Sequence, residues 1–591
     1  MEAGDPAAGA TACLEVGYAS KSVLGRIRLR QADGESVGDE ASVLRGAALF
    51  RYAPPAGDAL LVLDATSRVF RVYRCAGGEL EAVAVLGSEE SSDESASATE
   101  QNVDARFSPR GTFVATFARV REQQRDCGTR VRIYRAAVGE PVLTLSSSLS
   151  STRAATAVQW TADEALMFHA AGPEIRAYVG TELARGYVAR LRVPGLQSFA
   201  VAPCAVPAAN IGISSDGSPP PTHYLAAFSA QSTQSTPARL LVFSYPGSFT
   251  ATVSGASTAF PGVGHHNASL EPLVSRSLFR VQDAEFYWSP RITPGATTPV
   301  LLVKTSTDDD PSGKSYYGES RVHYLSLVAD APETAMPDGP IHDVAWAPNG
   351  REFIIVHGYA PARATLYHAR GAATFEFGTG SRNRVCWSPH GRFLALAGFG
   401  NLPGPVQIWD RNKKRVLGEF QAECTTAWAW SPCSRYFMTA VTHPRMKVDN
   451  GLRVFGYDGR CVFERRFHPD WLYQVEWRPV PENTYPDRPA SPRVLQALRE
   501  RERGSHGNGE AGNAERGAYI PPHLRAGRGS VPGVAADEGV MAAAPAFRLH
   551  EHEAPRKVEP SHTLTKSQLK NRKRKEREAR KRSTASDAPS T

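Results

Sequence analysis

Short runs in which apolar and polar residues alternate recur in a fixed order along most of the chain. The clearest copies are VAWAPNGREFIIVHG (344–358), VCWSPHGRFLALAG (385–398) and AWAWSPCSRYFMTAV (427–441). Each rises to a tryptophan, passes a small residue and a proline, turns at Gly or Ser, and enters a second apolar run. A period of two places one face of a strand in a core, and the Pro/Gly pair supplies the tight turn to the next strand. A third run follows, as in VQIWD (406–410), LRVFGYDG (452–459) and RVRIYR (130–135). The marker residues Trp346, Trp387, Trp430 and Trp477 are 41, 43 and 47 positions apart. That is near the blade period of about 40–45 residues in WD-type propellers. Weaker copies end at Tyr52, Phe107, Trp160, Val201 and Trp288. Nine markers predict an all-β, nine-bladed WD-type β-propeller, although Trp409-Asp410 is the one literal Trp-Asp pair among the blade strands.

A ring has to close. After Trp477 the sequence turns Pro-rich, leaving the ninth blade without outer strands, whereas CLEVGYA (13–19) and GRIRLRQ (25–31) precede the Tyr52 marker unused. These N-terminal strands are expected to complete the last blade and bury edges that would otherwise template aggregation. The propeller then spans 13–485. From 486 to 563 the sequence reads as a flexible linker rich in Pro, Gly and Ala, 564–582 as a short basic helix and 583–591 as a disordered end. The acidic stretch 87–100 and the Pro-rich stretch 216–222 read as solvated insertions.

Composition adds limits. Of 591 residues, 41% are hydrophobic and 22% charged, an ordinary balance for a globular protein. No apolar run is long enough to cross a membrane, and the start has no basic region ahead of an apolar one. The eight cysteines are scattered with no CxxC pair, which reads as reduced, mostly buried thiols of an intracellular, cytoplasmic protein with no metal and no cofactor. No catalytic constellation is visible, so the chain reads as a binding protein rather than an enzyme.

Charge is concentrated. Between Lys566 and Arg582 lie ten cations, Lys566, Lys570, Arg572, Lys573, Arg574, Lys575, Arg577, Arg580, Lys581 and Arg582, against two glutamates. This net of +8 equals that of the whole chain. Thr565 to Gln568 fits a capping box, and the helix that follows would be roughly 25 Å long at about 1.5 Å per residue. With almost no apolar face it suits phosphate contacts that order it on binding; a solvated charge run and a nuclear-localisation signal are the other readings of such a segment. Tyr519, Ile520, Pro521, Pro522, His523, Leu524 and Arg525 form a compact apolar peptide, either a docking element or a spacer. His443, Arg445 and Lys447 fall in an expected loop between strands, which reads either as an RNA contact or as an ordinary solvated loop.

The Gly-Lys-Ser triplet at 313–315 raises the question of nucleotide binding. A phosphate loop needs a glycine five positions before Gly313 and a helix after the serine. Position 308 is Asp, 309 and 310 are Asp as well, and the sequence downstream reads as a strand. The stretch is expected to be a hairpin loop.

The segments SYYGES (315–320) with VHYLSL (322–327), the run 429–459 containing PRMKVDNG, GAYIPPHLR (517–525) and LTKSQLKNRKRKEREARKR (564–582) together resemble the eukaryotic translation initiation factor 2A family. The resemblance spans most of the chain in the expected order. It implies a nine-bladed propeller with a mobile basic tail, acting as a monomer on the small ribosomal subunit, initiator methionyl-tRNA and mRNA, with other initiation factors as further partners and without GTP. After Arg582 no leucine-spaced helix of the kind associated with the family follows. The alternative is a propeller scaffold for protein complexes, such as an initiation factor 3 type subunit, though the first 49 residues are too few for the RNA-recognition domain of that relative.

Overall fold

The computed structural model describes residues 14–506 apart from 22, 30–37, 77–78, 88–97, 123–124, 148–155, 206–220, 231–236, 252–270, 294–295, 308–317, 328–333 and 338. Within these residues the chain forms nine antiparallel sheets arranged as the blades of a propeller. The basic helix expected over 564–582 and the end at 583–591 lie outside the described residues.

Every marker is the last residue of the first strand of its blade. In chain order these strands are Ala47–Tyr52, Ala98–Phe107, Val158–Trp160, Leu196–Val201, Asp283–Trp288, Ile341–Trp346, Arg384–Trp387, Ala427–Trp430 and Leu472–Trp477. They begin blades 1 to 9. The residue after the marker explains the turn: the Ser108 hydroxyl accepts from the Phe113 N–H (2.9 Å), Thr161 from Leu166 (3.0 Å), Ser388 from Phe393 (3.1 Å) and Ser431 from Tyr436 (3.1 Å). Gly111, Gly350 and Gly391 take left-handed backbone (φ 77°, 69° and 70°) at the tip of this turn, where a Cβ would cost energy. The second strand is buried on both faces, as in Phe393–Ala397.

Blades are joined by a repeated contact. The Trp288 indole N–H donates to Ala200 O (3.2 Å), Trp346 to Tyr287 O (2.9 Å), Trp387 to Ala345 O (3.3 Å), Trp430 to Cys386 O (3.0 Å) and Trp477 to Ala429 O (3.3 Å). In each case the acceptor is the residue just before the marker of the preceding blade. Where the marker carries no indole, another side chain takes over. Arg51 donates to Ala105 O (3.0 Å) between blades 1 and 2, and Gln159 bridges Phe199 O (2.7 Å) and Val201 N (3.0 Å) between blades 3 and 4. Between blades 2 and 3 the Trp160 ring stacks on Phe113, centroids 5.1 Å apart.

The ring closes through the N-terminus. Leu472–Trp477 pairs antiparallel with Leu14–Ser20, which pairs with Val23–Leu29 and so with Gly38–Arg45. The ninth blade is therefore one C-terminal strand and three N-terminal ones; the third, Gly38–Arg45, was not expected from the sequence. Gln474 ties this blade to blade 1 by accepting from Phe50 N (3.2 Å) and donating to Phe50 O (2.7 Å). Beside it Glu15, 5% exposed, is approached by Arg26 (3.6 Å), Arg28 (3.4 Å) and Arg478 (3.9 Å) and accepts from the Tyr52 hydroxyl (3.2 Å). Gly17 is required here, since a Cβ would come within 2.7 Å of the Phe50 ring.

Three expectations need correction. The acidic insertion ends sooner than expected, because Ala98–Phe107 is already a strand. The linker expected from 486 contains an α-helix, Pro492–His506, begun by Ser491 and Pro492 and seated on blades 7 and 8 through Val494, Leu495 and Leu498. Among the six cysteines whose side chains are described, Cys433 is buried, whereas Cys424 and Cys461 are exposed at a turn and an outer edge.

The closing seam generates two predictions. Glu15→Ala leaves three guanidinium groups without their shared buried carboxylate and should lower stability by about 3–5 kcal/mol, read as a fall in the denaturation midpoint. Glu476, on the first strand of blade 9, is half-buried, and its Oε2 has no hydrogen-bond partner. Burial pushes its carboxyl up from 4.5 to about 7 against the pull of Arg51. A raised folded-state value means that the group's contribution is fully present below 4.5 and is lost as pH rises to about 7. Glu476→Gln should therefore match the wild type at pH ~4.5 and exceed its stability at pH ~8; equal stability at both pH values would contradict this.

Candidate nucleic-acid interface

The two faces of the ring differ. On one face lie the turns between the first and second strands, and residues 478–491 run across them as a strap. Arg478 packs on the blade 1 turn at Gly57, and Glu482 pairs with Arg291 of the blade 5 turn (3.1 Å). The Tyr485 carbonyl lies 2.8 Å from His390 Nε2 of blade 7, and Asp487 makes a two-pronged pair with Arg392 (2.7 and 2.6 Å). Arg392 holds the Asp487 carboxyl below its ordinary range. Arg435 of blade 8 then donates to Pro489 O (3.0 Å), and Tyr457 Oη accepts from Ser491 N (2.9 Å).

The opposite face carries the turns between second and third strands and the links between blades, and no described segment crosses it. His443, Arg445 and Lys447 lie here, in the loop joining Tyr436–Val441 to Gly451–Gly456. The loop is built on a buried asparagine. Asn450, 5% exposed, donates to Met446 O (3.0 Å), its Oδ1 accepts from Leu472 N (3.2 Å), and its own carbonyl accepts from Phe467 N (2.9 Å). His443 N donates to Leu472 O (2.7 Å), so the loop is pinned to the link entering blade 9. Asp449 reverses the chain with φ 54°. The result holds Arg445 and Lys447 outward and exposed, while the His443 ring is half-buried.

The structure adds two residues that the sequence reading did not single out. Trp471, 39% exposed in the link before blade 9, stacks on the His443 ring with centroids 4.3 Å apart and planes 3° from parallel. Lys21, in the turn between the second and third strands of the same blade, places its ammonium 5.4 Å from the centre of the indole, and its N–H donates to Trp471 O (2.9 Å). The visible signal was a tryptophan at 471, six residues before a marker and outside the strand alternation. Lys21 gave none, since it lies 450 positions away in sequence. The other expected site residues, Tyr519 to Arg525 and Lys566 to Arg582, lie outside the described residues.

Other features of the molecule offer less chemistry. A cavity of about 570 Å³ is lined by the first strands of blades 2 to 5, including Arg106, Gln159, Trp160, Asp283 and Glu285, with no nucleophile and base paired across it. Among the described residues no group of three or more His, Cys, Asp or Glu could hold a metal, and no helix is long and apolar enough to cross a membrane. The Gly-Lys-Ser stretch at 313–315 lies outside the described residues. Its flanks, Val300–Ser306 and Ser320–Ser326, pair antiparallel from Ser306 opposite Ser320. It thus lies between two strands of one sheet, and no helix directly follows it among the described residues.

Comparison with known proteins fits this architecture. The family model described as eukaryotic translation initiation factor eIF2A matches residues 276–475. The chain is 28% identical over 425 residues to eukaryotic translation initiation factor 2A of Drosophila melanogaster, covering 71% of this chain and 59% of that protein. It is 31% identical over 442 residues to the Caenorhabditis elegans protein of the same name, covering 71% and 68%. It thus spans about three fifths of the length of the first relative and about two thirds of the second. A solved structure titled "Crystal structure of the eukaryotic initiation factor" superposes with a TM-score of 0.59 at 23% identity, covering 80% of this chain and all of that one, a likeness of fold.

Asn450→Ala should free the loop. Loss of its side-chain bonds leaves Leu472 N–H unpaired and should cost about 1–3 kcal/mol. Amide exchange over 443–450 should speed up while the strands of blade 3 remain protected; unchanged exchange would show that the loop is held by other contacts.

Proposed function

The chain belongs to the eukaryotic translation initiation factor 2A family, and from that premise we propose that it associates with the small ribosomal subunit and helps to deliver initiator methionyl-tRNA without binding GTP. It acts by adhesion. The observation that carries this reading is the asymmetry of the ring: one face carries the strap, and the other presents the exposed cations Lys21, Arg445 and Lys447 together with an exposed indole, Trp471. A cationic surface on a rigid scaffold suits a phosphate-rich partner, because the charges are already placed and lose little freedom on binding. The cations at Lys566 to Arg582 then act as a tether. They raise the local concentration of RNA around a weakly docked propeller and supply salt-dependent attraction. The strands flanking the Gly-Lys-Ser triplet pair within one sheet and no described helix directly follows it to receive phosphate, which supports independence from GTP.

Sedimentation of the full chain with purified small ribosomal subunits tests the reading. Association is expected, and neutralising Lys570, Arg572, Lys573, Arg574 and Lys575 to glutamine should weaken it and flatten its dependence on salt. Association that withstands both this change and high salt would reject the tether. Absence of association by the wild type, or saturable GTP hydrolysis by the pure chain, would reject the role.

A further inference from the structure

We propose that Trp471 is a stacking platform for an unpaired base of single-stranded RNA, with Lys21 shifting from the indole to the adjoining phosphate when the base arrives. The proposal rests on the reading that the open face meets RNA, and it names the side chain that reads the strand.

The geometry of the indole is the starting point. His443 covers one face at 4.3 Å with the planes 3° from parallel, which fills that side and fixes the ring. Tyr473 meets the same imidazole edge-on at 5.5 Å, so the support is itself supported. The ammonium of Lys21 therefore occupies the opposite face, 5.4 Å from the ring centre. Lys21 and Trp471 are both exposed, so a flexible ammonium chain lies over an indole that solvent reaches.

Relative strengths favour exchange. An exposed lysine over an indole is a weak contact, whereas a base stacked on an aromatic side chain is a stronger one. A displaced ammonium loses nothing if it meets a phosphate, and the sugar–phosphate chain of a stacked nucleotide passes within reach of a long lysine. Rigidity adds to this, since a ring held between His443 and the backbone of blade 9 pays little entropy on binding.

Charge alone would make a poor site. Lys21 lies over the ring and the exposed Arg445 and Lys447 belong to the neighbouring loop, but Asp449 and Asp470 lie in the same two segments as the loop and the ring. The modest local excess attracts a polyanion weakly, which leaves stacking to decide what binds. Stacking accepts any base and demands that it be unpaired, so single strands, loops and bulges fit and an intact duplex does not. On the other face the cations that meet the strap, Arg291, Arg392 and Arg435, are engaged with Glu482, Asp487 and the Pro489 carbonyl.

The test uses the full chain with two oligomers of equal length and charge, an oligoadenylate and its abasic counterpart, read by quenching of tryptophan fluorescence. The wild type should bind the oligoadenylate on the order of tenfold more tightly, with quenching that the abasic oligomer does not produce. Trp471→Leu should remove both the preference and the quenching, and Trp471→Phe should keep part of the preference. Glutamine at the five tail positions should weaken both oligomers alike and leave the preference intact. Equal affinity of the wild type for the two oligomers overturns the proposal without needing any variant to fold. So does a preference that survives Trp471→Leu, or a nuclease-resistant protein partner lost in Trp471→Leu with no preference between the oligomers. Failure to sediment with the small subunit while the preference persists would reject the ribosomal role and keep the platform; the reverse pair of results would reject the platform alone.

Discussion

The fold depends on one repeated act: the side chain at or near the end of each blade's first strand reaches a backbone carbonyl or ring of the adjoining blade. Sheets packed face to face are held by apolar burial, which is not directional, and nothing in it fixes how far one blade slides past another. An indole N–H does. From blade 5 to blade 9 each marker donates to the residue before the preceding marker, at 2.9–3.3 Å. The register thus passes around the ring one residue at a time. Each such bond contributes only about 0.5–1.5 kcal/mol net, but a buried donor without its acceptor would cost about 1–3 kcal/mol, so misaligned blades are disfavoured more strongly than aligned ones are favoured.

The same constraint explains why the closing seam is built differently. Its two partners are the first and last strands of the propeller, far apart in sequence, and an indole on one carbonyl would be a slender join between them. Here a pair of hydrogen bonds from Gln474, a ladder between the first and last strands, and a carboxylate among three guanidinium groups act together. Burying Glu15 is costly, and the neighbouring charges and the Tyr52 hydroxyl offset that cost only in the closed geometry. Specific polar contacts at this junction distinguish the correct partner strand from any other exposed edge.

The repeat was legible because it is local. Alternation, the small-Pro turn and the marker all fall within about fifteen residues, and all nine markers, including the weak ones at Val201 and Tyr52, end a first strand. What escaped reading depended on distant partners. GDEASVLR (38–45) has little alternation, and it becomes a strand because Val23–Leu29 offers it an edge. Ser491-Pro492 followed by Val494, Leu495 and Leu498 carries a helix start and an apolar stripe, but the surrounding Arg and Glu masked an element held by blades 7 and 8. His443, Arg445 and Lys447 were visible as a loop. The exposed ring beside them was not, because Trp471 meets His443 through the link that the loop pins at Leu472, and Lys21 reaches the indole only by the closure of the seam.

That dependence links architecture to recognition. Lys21 belongs to the N-terminal strands, Trp471 to the link entering the last C-terminal strand, and His443 to blade 8, so the three groups meet only in a ring that has closed. An open ring would keep the loop and its charges but lose Lys21 from the indole. Attraction for polyanions would survive, since it depends on charge number and falls off over a Debye length of about 10 Å in 0.1 M salt. Discrimination between stacked and unstacked partners would not, since it depends on a fixed plane with one face free. A site assembled across the seam would therefore confine base recognition to chains that have folded to completion, whereas charge attraction by cations elsewhere in the sequence does not depend on that seam.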